Sequence, residues 1–492
     1  MKPFRSFLFI VVALSALVAF PLLFPKGKIT ISGVELRIYT LDFLDSEILE
    51  PELAQSIKAE SVLAEKIKNT EIQSEIENLS VLDTLESEPV LISIPKASNN
   101  ATLFYFDIII PDQLANSWAD LSMSFSQAQS FEKPLRILYY GDSQIENDRI
   151  TSGFRKALQK RYGGAGRGLV PVESIYNTAN NFIMTSSGNW ETESVIKNSS
   201  SKLDLGLLCE AFEMQHSNLA EDSVSTSWVK IKSIKKDIEE GYSVLSVFYR
   251  ASGNSDIKIH LNENRAEAKE LITSADINEL RFSLEEIPEE VELLFSTNEK
   301  ITVYGLNLES PSGIMVDNIA LRGRSYPEFS RIETSRLKQM AQLLDPAFVI
   351  MQYGVNVVPN ITSDYSYYKK HLNRELAYLR KILPNTPVLL VSVSDMAHKA
   401  NGSFESYPNL EKVLNTQKEA ASENGCAFWN LYESMGGKGS MINWVEMQPP
   451  LGNKDYVHYT SLGAEKVGNL FAQQFIKALE LDQITAILPN EP

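Results

Sequence analysis

A serine hydroxyl is a poor nucleophile until a base takes its proton, and imidazole titrates close to working pH. The imidazole needs a carboxylate to fix its tautomer and to stabilise its charged form. This chain carries those three groups in two places. Ser143 ends the apolar run Leu135-Arg-Ile-Leu-Tyr-Tyr-Gly-Asp-Ser143, and Asp455 stands three residues before His458 in Lys454-Asp-Tyr-Val-His458. In a loop that spacing lets the carboxylate reach Nδ1. Attack on an acyl carbonyl creates an oxyanion, and losing one donor aimed at it costs ~3 kcal/mol of transition-state stabilisation. The expected donors are the main-chain N–H groups of Ser143 and Gly323 and the side-chain amide of Asn356. Asp142 reads as a hydrogen-bonding residue of the turn, with Asp395 as a reserve acid. His216, His260, His371 and His398 have no comparable setting and read as structural.

Such groups must be held at strand ends. The run at Leu135 breaks at Gly141-Asp142-Ser143, and Ile150, Phe154 and Leu158 follow at helical spacing. This puts the serine at the carboxyl end of a strand, where open α/β sheets hold their ligands. A second apolar run starts at Gly313 and ends in Gly323. From there the pattern alternates, with helices expected at 332–344, 365–383, 410–424 and 462–479 and strands at 348–353, 388–393 and 426–431. Alternation of this kind predicts a doubly wound parallel sheet with helices on both faces.

Between these halves the texture changes. Val244-Leu-Ser-Val-Phe-Tyr249, Ile257-Lys-Ile-His-Leu261 and Val291-Glu-Leu-Leu-Phe295 are short runs with period-two alternation, separated by turn formers. They predict an inserted β-sandwich over 176–311. Trp190, Trp228, Tyr242, Phe248 and Tyr249 within it read as core in the main. Tyr162-Gly-Gly-Ala-Gly-Arg-Gly168 reads as a tight turn; it lacks the Gly-Lys-Ser/Thr ending of a phosphate-binding loop.

A serine, a glycine, an asparagine and a late Asp-x-x-His, in that order, resemble the SGNH (GDSL-type) hydrolase family at all four of its motif blocks. The resemblance covers Leu135–Arg161 and Gly313–Ala478 and leaves out the amino-terminal arm. One departure is Val357, where many members follow the asparagine with aspartate. The run from Gly141 through Gly168-Leu-Val-Pro171 is similar to exported peptidoglycan O-acetylesterase-like members, which carry a carbohydrate-binding-module-like sandwich at the same point. The resemblance implies deacetylation of an envelope polysaccharide by Ser143, His458 and Asp455, with Ser143, Gly323 and Asn356 as the oxyanion hole. It implies no cofactor. An O-acetyltransferase using the same triad, and a glycan-binding envelope protein without activity, are the other readings.

The 492 residues carry a formal net charge of −17, which argues against nucleic acid as the main partner. Only Cys209 and Cys426 occur, far apart and in no metal-binding pattern, and they read as small buried residues. Lys2 and Arg5 precede an apolar run from Phe7 to Phe24, which reads as an uncleaved signal anchor over a cleaved signal. The expected organisation is therefore a signal segment (1–28), an arm (29–99), a hydrolase domain (100–175 with 312–485) and the insert (176–311). The body would face the periplasm or envelope. Residues 45–88 read as a polar spacer.

Overall fold

The computed structural model describes residues 28–31, 34–37, 107–173, 178–179, 182–197, 202–215, 224–233, 241–262, 265–284, 288–400 and 402–487. The chain divides into two compact units, Met1–Pro95 and Lys96–Pro492. In the first, the described residues form one antiparallel hairpin, Lys28–Ile31 with Val34–Arg37, in which Ile29 faces Leu36. The apolar run 7–24 and the spacer 45–88 lie outside the described residues. Among the described residues no helix is long and apolar enough to cross a membrane.

The second unit is built on five parallel strands: β1 (Leu135–Gly141), β2 (Ile314–Ala320), β3 (Pro346–Gln352), β4 (Val388–Val391) and β5 (Ala427–Trp429). Their order across the sheet is β2-β1-β3-β4-β5. The helices are α1 (Ala115–Ser126), α2 (Arg149–Tyr162), α3 (Thr334–Leu344), α4 (Ser366–Ile382) and α5 (Leu410–Glu423). Three more follow: α6 (Leu431–Ser434), α7 (Ser440–Glu446) and α8 (Ser461–Ile487).

Strand side chains alternate between two cores. Ile137 and Tyr139 of β1 pack with Trp118 of α1, Phe154 of α2 and Phe471 of α8. Leu138 and Tyr140 pack with Leu337 of α3 and Leu376 of α4. Each such buried apolar side chain stabilises the fold by roughly 1.5–3 kcal/mol. The chain leaves β1 for α2 on one face and leaves the adjacent β3 for α4 on the other. That divergence is the topological switch point at which doubly wound sheets open a crevice. In α2 the apolar stripe Ile150, Phe154, Leu158 turns inward, basic residues sit in the last turn, and Gly163 ends the helix at φ 79°.

Between α2 and β2 lie two six-stranded antiparallel sheets. One contains Val244–Ala251, Ile301–Glu309 and Glu210–Met214; the other contains Ser255–Leu261, Glu290–Thr297 and Ser225–Ser233. Val247, Tyr249 and Val303 of the first share a core with Ile259, Leu293 and Phe295 of the second. Trp190, Tyr242, Phe248 and Tyr249 are buried and Trp228 is half-buried.

The structure departs from the sequence reading near the start of this sandwich. Gly166–Val170, expected as part of a turn, is a strand that pairs with Ile301–Glu309. Its glycines hide the strand pattern, and they are there because another part of the chain comes too close for a side chain. A Cβ on Gly168 would lie 2.1 Å from Asp317 Oδ1. That carboxylate also anchors the junction with the sheet. Arg136 of β1 donates to both Asp317 oxygens at 2.6 and 2.8 Å, to Asn307 at 3.3 Å, and to Glu309, all in the buried interior. Also unforeseen are the hairpin Ala397–Ala400 with Ser403–Ser406 and the short helices α6 and α7. Cys209 and Cys426 are buried free thiols.

Candidate active site

The strand β1 delivers its carboxyl end into a turn rather than directly into a helix. Asp142 N donates to Gln352 O of β3 at 3.2 Å, and the Asp142 carboxylate accepts from Gln144 N at 3.0 Å. Asn147 and Asp148 then take left-handed conformations, with φ of 57° and 60°, before α2 begins. Such backbone is held only where the surroundings over-determine it. Here Arg155 clamps Asp148 at 2.7 and 2.8 Å, and Thr151 bonds it as well. Ser143 is thereby fixed at the head of the switch-point crevice.

Its imidazole partner arrives from the opposite end of the chain. Ser143 Oγ lies 2.8 Å from His458 Nε2, and His458 Nδ1 lies 2.8 Å from Asp455 Oδ2. A carboxylate can only accept, so Nδ1 carries the ring proton and Nε2 is left to accept from the serine hydroxyl. Asp455 also receives the N–H groups of Val457 and His458, each at 3.0 Å. Partial burial pushes the Asp455 carboxyl up, but those N–H groups and the imidazole outweigh it and hold the group below its ordinary value.

The crevice is a cleft of about 1070 Å³ whose lining includes Ser143, Gly323, Asn356, Asp455 and His458, so one space brings together every sequence-expected site residue. Gly323 sits at φ 76°, a conformation side chains disfavour, in the turn that follows β2. Asn356 is exposed on the cleft, and its side-chain amide donates to Arg324 O at 2.9 Å. Asp142 and Asp395 stand elsewhere. Burial raises Asp142 to about 7 against the N–H groups of Gln144, Val355 and Gly354, and its role is to tie the ends of β1 and β3. Asp395 is likewise raised by burial and bonds Met441 N at 2.9 Å and Ser440 Oγ at 3.4 Å, on α7.

Several groups at the site escaped the sequence reading. Gln144 donates to Ser394 Oγ at 2.6 Å and to Val457 O at 3.2 Å, and accepts from Gln352 at 3.2 Å. Tyr139 donates to Gln352 at 2.6 Å beneath it. Arg149 donates to Ser143 O at 2.8 Å and to Glu146 O at 2.9 Å. Glu146 lies 3.6 Å from the Arg149 guanidinium and 3.8 Å from that of Arg322. Their adjacency to the Gly-Asp-Ser block was the one available signal. The ring of Phe404, on the unforeseen hairpin, stacks on Tyr456 at 3.7 Å between centroids and 15° between planes.

No family model and no curated protein sequence matches the chain. Among solved structures, a peptidoglycan O-acetylesterase superposes with a TM-score of 0.58 at 21% identity, over 75% of this chain and 97% of that one. Family two carbohydrate esterases from Cellvibrio japonicus and Clostridium thermocellum match at 10% and 9% identity, over 60% of this chain and 99% of theirs. Their TM-score of 0.24 is too low to carry an argument. Strand order, block positions and the first superposition agree on the fold of the SGNH (GDSL-type) hydrolases.

Proposed function

We propose that this protein is a serine esterase that removes O-acetyl groups from a cell-envelope polysaccharide. The observation that carries the proposal is the unbroken chain from Ser143 Oγ through the His458 ring to Asp455, each link 2.8 Å long. Ser143 Oγ attacks the acetyl carbonyl while Nε2 takes its proton. The resulting oxyanion is met by the N–H groups of Ser143 and Gly323 and by the Asn356 amide. Collapse breaks the ester bond, and the departing sugar hydroxyl takes the proton back from Nε2. Water then repeats the sequence on the acetyl-serine, releasing acetate and restoring Ser143. Asp455 stabilises the imidazolium in both halves.

A cleft of about 1070 Å³ has room for more than an acetyl group, and the fold shared with a peptidoglycan O-acetylesterase supports a glycan as substrate. The sandwich is proposed as carbohydrate-binding-module-like, on its position alone. The export of the body to the periplasm or envelope, held by the segment 1–28, belongs to the same proposal.

The test is acetate release from 4-nitrophenyl acetate and from an O-acetylated glycan, with mass spectrometry after treatment with a serine-reactive organophosphonate. We expect turnover, a label on Ser143, and loss of both in Ser143→Ala. Activity that survives Ser143→Ala would sink the proposal. Transfer of acetyl to an added glycan acceptor, in place of free acetate, would make the protein an acetyltransferase.

A further inference from the structure

The turn that carries Gly323 is held from the side of the sandwich. Leu321 N donates to Gly141 O at 2.7 Å, which ties the start of the turn to the end of β1. Arg324 N donates to Leu321 O at 3.1 Å and closes it, with Gly323 at the third position, where a positive φ favours glycine. The side chain of Arg324 then reaches the sandwich. Its Nη2 donates to the carbonyls of Val195 and Ile196 at 2.7 and 2.9 Å, and its Nη1 to Glu328 at 3.1 Å. Val195 and Ile196 directly follow Trp190–Ser194, an edge strand of the sandwich.

The same place is gripped a second time. Arg331 donates to Val195 O at 3.0 Å and to Glu328, so two guanidinium groups share one carbonyl and one carboxylate. The main chain is stitched there too: Leu203 N donates to Arg331 O at 2.8 Å, and Glu333 N to Leu203 O at 2.9 Å. Val195 is buried in one core with Leu321 and Phe329. Hydrogen bonds from an ionised donor are the stronger kind. A planar guanidinium with five N–H groups holds two carbonyls and a carboxylate at once, and an ammonium cannot match that fork.

These contacts converge on two groups of the cleft. Arg324 O is the acceptor for the Asn356 amide at 2.9 Å, and Gly323 is the residue before Arg324 in the turn. The places of Gly323 and Asn356 are thus both referred to one residue, and that residue is anchored in the sandwich. Donors to an oxyanion act by being fixed before the charge develops, so what fixes them counts towards the rate.

We propose that Arg324 is a positioning residue through which the inserted sandwich aims Gly323 and Asn356 at the oxyanion. This rests on the esterase reading of Ser143, and it gives the sandwich a part in the reaction itself. The test is Arg324→Lys, which keeps the charge but not the fork, against Arg336→Lys. Arg336 of α3 ties the sandwich outside this turn, through Asp204 at 2.9 Å and Ala275 O at 2.7 Å. On 4-nitrophenyl acetate, Arg324→Lys is expected to lower kcat about tenfold or more with KM little moved, since acylation and deacylation each pass through an oxyanion. Arg336→Lys is expected to lower the melting temperature and leave kcat as it was. In an Asn356→Ala background, Arg324→Lys should cost less than it does alone, because one of the donors it aims is gone. If Arg324→Lys does not fold, Glu328→Gln, which keeps both arginines, takes its place, with a smaller fall in kcat and the same pattern. An unchanged kcat in the folded variant, an equal fall in Arg336→Lys, or full additivity with Asn356→Ala would overturn the inference and leave the esterase reading standing. If the native protein neither turns over 4-nitrophenyl acetate nor takes an organophosphonate label at Ser143, the esterase reading itself fails, and this inference with it.

Discussion

The side chain of Gln144 donates to the carbonyl of Val457 at 3.2 Å. The residue after Ser143 thus grips the residue before His458, across 313 positions of sequence. The same amide is held by Ser394 and Gln352, and Gln352 by Tyr139, so the alignment of Ser143 with His458 is referred back to the interior of β1, β3 and the segment after β4. Gln144 is a positioning residue. Gln144→Leu keeps the volume but leaves buried partners unpaired, at about 1–3 kcal/mol. We expect kcat to fall about tenfold or more with KM little moved, read by steady-state kinetics on 4-nitrophenyl acetate. A change confined to KM would show that the strut does not align the pair.

Asp455→Asn removes the acceptor that fixes the Nδ1–H tautomer. An exposed loop pair contributes little to folding, so the melting temperature should barely change while kcat falls by about 10³–10⁴. Because Asp455 is held below its ordinary value, the proposed esterase activity should not be lost through this group anywhere above the ordinary carboxylate range. A rate profile that follows Asp455 titration at higher pH would contradict the geometry.

Phe404 tests a second support of the same loop. Tyr456 lies between Asp455 and His458 with φ 59°, and the hairpin reaches it twice, through the ring stack and through Ala397 N donating to Tyr456 O at 2.9 Å. An aromatic pair is worth about 0.5–1.5 kcal/mol beyond burial. Phe404→Ala should therefore lower kcat several-fold, and Phe404→Tyr should restore it. Loss in both variants alike would mean that the ring's stacking is not what matters.

Asp142 gives a signature in stability rather than rate. Its folded value of about 7 lies above that of an unfolded aspartate. The folded state therefore holds the proton more tightly, and the stability due to this group is complete below pH 4 and declines as pH rises to about 7. Asp142→Asn, which stays neutral and still accepts from Gln144 N, should flatten that decline in melts run from pH 4 to 8. Buried Glu210, also raised to about 7, should leave a residual slope.

The meeting of Ser143, His458 and Asp455 was legible because each part is local: a strand that breaks at a serine, and an Asp and His three residues apart. The parallel sheet was legible for the same reason, since helical and strand periods alternate along the chain. What was not legible depends on meetings between distant segments. Nothing in the spacing of Gln144 names Val457, and nothing near Phe404 names Tyr456. Gly166–Val170 was misread because Gly168 answers to Asp317, 149 residues on, rather than to its own neighbours. Only the placement of α2 beside α8 brings Ser152 and Gly153 to the same cleft as Ser461 and Asn469.

The seam where the sandwich leaves and rejoins the sheet bears on how the molecule folds. Ile314 N donates to Gly163 O at 2.9 Å, so the segment's two ends touch. β1 and β2 must pair in parallel across that segment, and closing a loop of about 150 residues costs about 2 kcal/mol more entropy than closing one of about 20. A sandwich already folded turns the long loop into a short one. A route in which the sandwich forms before β1 meets β2 therefore escapes most of that entropy cost, and the seam is the feature that makes such a route favourable.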